Sequence, residues 1–131
     1  MPEAEALIVD ASAIVNLVAR SSHARAVAAR LRGATWHAPA HLDAEVLSAL
    51  GRLERASRLN AVAAADGLLA LSELPVQRHP VSPLLLGAWT LRQELRLVDA
   101  LYVELARQLR LPLITTDHRL ARATPIAEAI G

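Results

Sequence analysis

Short apolar runs along the chain alternate with longer stretches in which apolar residues recur every three or four positions. Leu7-Ile8-Val9 is such a run, ended by Asp10, and reads as a buried strand. Ser12 to Val18 follows with helical spacing, and His23 to Leu31 is an alanine-rich helix stopped by Gly33. Thr35 to Ala38 is a second strand candidate, closed by Pro39. From His41 to Arg55, Leu42, Val46, Ala49 and Leu53 recur on one helical face, and a further helix spans about Asn60 to Leu74, ended by Pro75. Val76 to His79 is a weak strand candidate between prolines, and Leu84 to Leu95 and Val98 to Leu109 read as helices. Leu113-Ile114-Thr115 is a strand entered through Pro112 and left at Asp117, before a short helix Arg119 to Ala123. The pattern offers no convincing final strand after it. Short apolar strands alternating with helices predict an α/β fold, a short central parallel sheet flanked by helices in three layers.

No repeat, linker or low-complexity break divides the 131 residues, so residues 1–131 read as a single domain, long enough to bury a real core. The core must be aliphatic, because Phe is absent and the aromatics are Trp36, Trp89 and Tyr102 alone. There is no cysteine, which excludes disulfide scaffolds and thiolate metal sites. The start Met1-Pro2-Glu3-Ala4-Glu5 is acidic, unlike a secretory signal, and no apolar stretch reaches membrane-spanning length, so a cytoplasmic protein without membrane contact is expected. All 14 basic residues are Arg, which excludes any mechanism built on a lysine. The net charge of +1 says little by itself. With four of the 13 acidic residues gathered in a site, however, arginines outnumber the remaining acids by five. That balance suits a polyanion held by Arg around a negative pocket, although on charge alone a solvated Arg/Glu surface is the favoured reading.

The chemistry lies with the carboxylates. Ligands of open parallel α/β sheets bind beyond the carboxyl ends of the strands. Asp10 ends one strand and Asp117 follows another by two residues, so both project from the same edge. Glu45 lies early in the helix after Thr35 to Ala38, near that edge, and borders the apolar stripe of its helix. Asp99 opens the helix whose predicted stripe is Val98, Leu101, Tyr102, Leu105 and Leu109, with Glu104 and Arg107 on the opposite face. Asp99 falls beside Tyr102 and Ala106, inside the apolar sector. A half-buried carboxylate is costly unless neutralised, and several together repel, a conflict that a divalent cation resolves. All-oxygen donors suit Mg²⁺ or Mn²⁺ rather than zinc. Each residue alone has a plainer role: Asp10, Asp99 and Asp117 as helix caps, Glu45 as a partly exposed helix residue. Asp43, on the other flank of its helix, reads as an N-cap.

The chain resembles PIN-domain ribonucleases, in particular the VapC-like toxins of bacterial toxin–antitoxin pairs. The matching pieces are Leu7-Ile8-Val9-Asp10-Ala11-Ser12-Ala13, Pro39 through Glu45-Val46, Val98-Asp99-Ala100-Leu101-Tyr102, and Leu113-Ile114-Thr115-Thr116-Asp117 with Leu120. Carried over by position, the family's acidic quartet falls on Asp10, Glu45, Asp99 and Asp117, and its supporting hydroxyls on Ser12 and Thr115. The resemblance implies an endoribonuclease, an RNA substrate such as tRNA or ribosomal RNA, a cognate antitoxin and a homodimer.

The expected mechanism has one or two Mg²⁺ ions held mainly by Asp10 and Asp99, with Glu45 and Asp117 as direct or water-mediated ligands. The ion makes water a nucleophile near neutral pH, and in-line attack leaves a 5′-phosphate, as the resemblance implies. Arg20, Arg119 and Arg122 are candidate phosphate contacts, and His41 and His118 flank the site. Rival uses of strand-end carboxylates fit less well. A receiver-type switch needs a lysine; a haloacid-dehalogenase-like phosphatase needs a second Asp where Ser12 stands; an adhesion module needs a final hydroxyl where Ile14 stands. The remaining alternative is a catalytically inactive PIN fold that binds RNA or a protein partner.

Overall fold

A computed structural model describes residues 4–131, so the first three residues of the acidic start lie outside it. The elements run β1 (Ala6–Val9), α1 (Ala11–Val18), α2 (Ala24–Leu31), β2 (Thr35–Pro39), α3 (Leu42–Arg55), α4 (Ala61–Glu73), β3 (Val76–His79), a 3₁₀ turn (Ser82–Leu84), α5 (Leu85–Trp89), α6 (Leu97–Leu109), β4 (Leu113–Thr115), α7 (His118–Ala123) and β5 (Ala127–Ala129).

The five strands are all parallel, in the order β3-β2-β1-β4-β5. The central strand β1 is buried on both faces, which is why Leu7, Ile8 and Val9 are apolar without alternation. The helix α1 packs with α2, α3 and α4 on one side of the sheet, while α6 crosses β2, β1 and β4 on the other. The result is the expected three-layer α/β architecture of a PIN-like fold. Leu7, Ile8, Ile14, Leu31, Leu42, Leu50, Leu113 and Ile114 form the core with Tyr102, the one large aromatic buried among them.

Three expectations are corrected. The pattern offered no final strand, yet Ala127–Ala129 pairs in parallel with β4. Its two alanines are short and only half-buried at the sheet edge and Glu128 between them is exposed, so it lacks an apolar signature; backbone bonds hold it, with an Arg30 ion pair to Glu128. The predicted helix Leu84 to Leu95 is instead a 3₁₀ turn and the short α5. Thr90 stops it by donating its hydroxyl to the Gly87 carbonyl at 2.6 Å, and Arg92 donates to the Trp89 carbonyl while stacking on the Trp89 ring.

The third concerns α6: Val98 and Leu109 of the expected stripe, near the helix ends, are exposed, while Tyr102 to Ala106 in its middle are buried on every side. Glu104, expected on the solvent face, is only 6% exposed. The α5 helix lies directly over it: a Cβ built on Gly87 would fall 2.1 Å from the Glu104 carboxyl carbon. A side chain at position 87 would therefore require the Glu104 carboxylate, the far end of a flexible side chain, to move aside. Arg107, three residues on, reaches over to pair with the Glu104 carboxylate at 3.0 Å, and Gln108 donates to it at 2.9 Å.

Candidate active site

Parallel strands in the order β3-β2-β1-β4-β5 reverse direction of build-up between β1 and β4, the place where such sheets leave a crevice at their carboxyl edge. Asp10 follows β1 and Asp117 lies two residues past β4, so the two acids emerge from neighbouring strands. Glu45 stands in the first turn of α3 and Asp99 in the first turn of α6. All four line one cleft of about 290 Å³, with Ser12, Asn16, Arg52, Arg96 and Tyr102 among its walls.

Asp10 is the deepest of them, 5% exposed. Its Oδ1 accepts from the Ser12 hydroxyl at 2.7 Å and the Ala13 amide at 3.0 Å, and its Oδ2 accepts from the Thr115 hydroxyl at 2.6 Å. Asp10 therefore caps α1 and faces the cleft at once. Burial pushes its carboxyl up to about 6, against the lowering effect of the three hydrogen bonds, and the nearby charge of Asp99 pushes the same way. Thr115, fully buried, also accepts the Asp117 amide at 2.9 Å, so one hydroxyl ties the ends of β1 and β4 together. Ser12 does the same from α1, accepting the Thr116 amide at 3.0 Å. Asn16 donates to the Thr116 hydroxyl at 2.9 Å.

Glu45 accepts from the Tyr102 hydroxyl at 2.7 Å and lies 3.3 Å from the His41 Nε2. Burial, then the charge and hydrogen bond of Glu45, raise the Tyr102 phenol well above its ordinary range, so it stays a neutral donor. Asp117 caps α7, accepting from the Arg119 amide at 2.9 Å, and the Arg119 guanidinium stands 3.6 Å away. Asp99 does not cap its helix; that position is held by Arg96, whose guanidinium grips the Asp99 carboxylate at 3.0 and 3.3 Å. Asp99 holds Arg96 above its ordinary value by hydrogen bond and charge, with Glu45 and Asp117 adding to the effect.

Of the other residues singled out from sequence, Arg119 lines a smaller groove shared with Asp99 and Asp117. Arg20 instead lines a separate depression with Arg58 and Leu59, and exposed Arg122 lines neither the cleft nor that groove. His41 reaches the Val98 carbonyl at 3.0 Å and packs on the Tyr102 ring, while His118 bonds to the Gly131 carbonyl at 2.8 Å. Asp43 is not a cap: it sits inside the first turn of α3 and receives a two-pronged bond from Arg78 at 2.8 and 2.9 Å. The arginines in the cleft, Arg52 and Arg96, were not among the sequence candidates. Arg96 had one readable signal, its place three residues before Asp99 at the start of the helix.

The donor set fits a hard divalent cation, being all oxygen and carrying a buried carboxyl whose ionisation the protein alone does not fully support. Among the described residues no three His, Asp or Glu side chains are drawn together closely enough to hold one ion. Each acid is instead taken up by protein donors, Asp99 by Arg96.

Comparison with known proteins places this geometry among relatives. The PIN domain family model matches residues 7–124. Ribonuclease VapC3 of Mycobacterium tuberculosis is 57% identical over 128 residues, covering 97% of this chain and 93% of the relative. Ribonuclease VapC12 of the same organism is 41% identical over 120 residues, covering 89% of this chain and 91% of the relative. The crystal structure of PAE2754 from Pyrobaculum aerophilum superposes with a TM-score of 0.67 at 28% identity, covering 95% of this chain and 83% of that one.

Proposed function

The chain belongs to the PIN-domain family and is an endoribonuclease of the VapC toxin type; from that premise we propose that it cuts structured RNA in a divalent-metal-dependent reaction at the cleft of Asp10, Glu45, Asp99 and Asp117. Asp10 and Asp99 are the proposed metal ligands, for Mg²⁺ or, in its place, Mn²⁺, and Glu45 and Asp117 complete the acidic rim. The observation that carries the reading is the convergence of four carboxylates from four separate elements on one cleft, the deepest of them buried with a carboxyl pushed up to about 6.

The protein's part is preorganisation. Thr115, Ser12 and the Ala13 amide fix both oxygens of Asp10. Tyr102 fixes Glu45, and the first amides of α7 fix Asp117. A bound ion would supply an activated water and stabilise charge on the phosphate. Arg52, Arg96 and Arg119 place positive charge around the acidic floor, where it attracts the RNA backbone and holds a phosphate against the acids. With three aromatics in the chain and Tyr102 buried, backbone and shape recognition outweigh base stacking.

The same proposal includes a cognate antitoxin and a homodimer. An apolar groove of about 370 Å³ between α5 and α6, lined by Leu85, Leu86, Trp89, Leu97 and Val98, supports a protein partner. No helix among the described residues is long and apolar enough to cross a membrane.

The test is cleavage of a structured RNA by purified protein with Mg²⁺, with excess chelator, and with Mn²⁺ added back. Fragments that vanish with chelator and return with Mn²⁺ support the proposal. Cleavage indifferent to chelator refutes the metal-dependent mechanism.

A further inference from the structure

Three of the four acids in the cleft draw hydrogen bonds from groups that belong to the frame of the fold. Asp10 has Ser12, Thr115 and a backbone amide; Glu45 has Tyr102; Asp117 has the amides at the start of α7. Asp99 differs: among the described residues its hydrogen bonds all come from one exposed cation, the Arg96 guanidinium. The partners are unequal in freedom, since the Arg96 side chain is 69% exposed and that of Asp99 20%.

Helix stability does not account for the arrangement. Arg96 occupies the N-cap of α6 without a side-chain cap bond, and a cation there meets the positive end of the helix dipole, the unfavourable sign. What the guanidinium does face is the acidic cleft: Arg96 lines it together with Arg52, but Arg52 donates to Ser48 rather than to a carboxylate. The two-pronged grip engages both oxygens of Asp99 and places a positive charge against the carboxylate a divalent ion would approach.

We propose that Arg96 is a built-in counter-ion that occupies Asp99 in the metal-free protein and competes with the divalent cation for it, so that loading of the site requires Arg96 to swing out. The inference rests on the reading of Asp99 as a metal ligand. It accounts for a cluster of carboxylates that stands together although, among the described residues, no three of them are gathered for an ion. It also accounts for the choice of partner: exposed ion pairs are weak and exchange readily, whereas the buried bonds that hold Asp10 do not.

The experiment is Mn²⁺ binding to the full chain in the absence of RNA, read by electron paramagnetic resonance of the free ion, for the wild type, Arg96→Gln, Arg96→Lys and Asp99→Asn. Loss of a competing pair and of one repelling charge a few ångström from the ion tightens Mn²⁺ binding by Arg96→Gln about three- to tenfold. Arg96→Lys, which keeps the charge but not the fork, falls between the two. The gap between Arg96→Gln and wild type narrows from low to high salt, because the repulsion is screened. Equal or weaker binding by Arg96→Gln, while Asp99→Asn binds poorly, overturns the role of Arg96 and leaves the metal-ligand reading standing. Undiminished binding by Asp99→Asn, or none by the wild type, overturns that reading and the proposal with it.

Discussion

Asp10→Asn separates what Asp10 does for function from what it does to the fold. Burial lifts the Asp10 carboxyl from its ordinary 3.8 to about 6 in the folded protein. Each unit of difference is worth about 1.4 kcal/mol, so ionising Asp10 inside the metal-free fold costs about 3 kcal/mol at neutral pH. The sign follows from the direction of the shift. The folded state holds the Asp10 proton more tightly than the unfolded chain, so this contribution to stability is full below about pH 4. It is lost as pH rises to about 6 and is level beyond about pH 7. Asn carries no charge, and its side-chain oxygen can keep the bonds from Ser12 and the Ala13 amide. Its NH₂ group then faces the Thr115 hydroxyl, which can turn to accept. In urea titrations with chelator present, Asp10→Asn is therefore about 1–3 kcal/mol more stable than the wild type at pH 7.5 and close to it at pH 4. Mg²⁺ stabilises the wild type and not the variant, and RNA cleavage by the variant is abolished. A stability difference that is the same at both pH values, or a less stable variant at pH 7.5, refutes the reasoning.

Tyr102→Phe keeps the shape of a fully buried side chain and removes only the 2.7 Å bond to Glu45. Stability falls by about 1 kcal/mol and the cleavage rate by roughly tenfold, measured by denaturation and single-turnover kinetics; an unchanged rate removes Glu45 positioning from the mechanism. Gly87→Ala places a methyl group 2.1 Å from the Glu104 carboxyl carbon and pushes that buried carboxylate off its Arg107 and Gln108 partners, at about 1–3 kcal/mol in denaturant titrations. In an Glu104→Ala background most of that loss disappears, and additive losses in the double-mutant cycle refute the contact.

Much of the fold was legible because its signals are local. The apolar runs of β1 and β4, the stops at Gly33 and Pro75, and the amphipathic spacing of α3 each involve residues within a turn or two of one another. The acids at the strand ends were legible for the same reason, since a parallel strand announces its own carboxyl end. Other features carried no local signal. The strand β5 is short and half-buried at an edge, and α5 is cut by side-chain bonds to its own backbone. Glu104 reads as a solvent-facing residue until α5 is laid over it through Gly87.

Spacing along the chain determined the longer helices, the central strands, and the attachment of Asp10 and Asp117 to strand ends. Only the tertiary structure decided that β1 and β4 are neighbours, which brings residues 10 and 117 together under one Thr115 hydroxyl. Strand order was the missing link. It is set by handed crossovers and by burial summed over the whole chain, neither of which any stretch of sequence carries alone. The partnership of Arg96 with Asp99 was within reach of spacing, three residues apart across the start of one helix. Its meaning was not, because the other acids it faces arrive from α3 and from beyond β4.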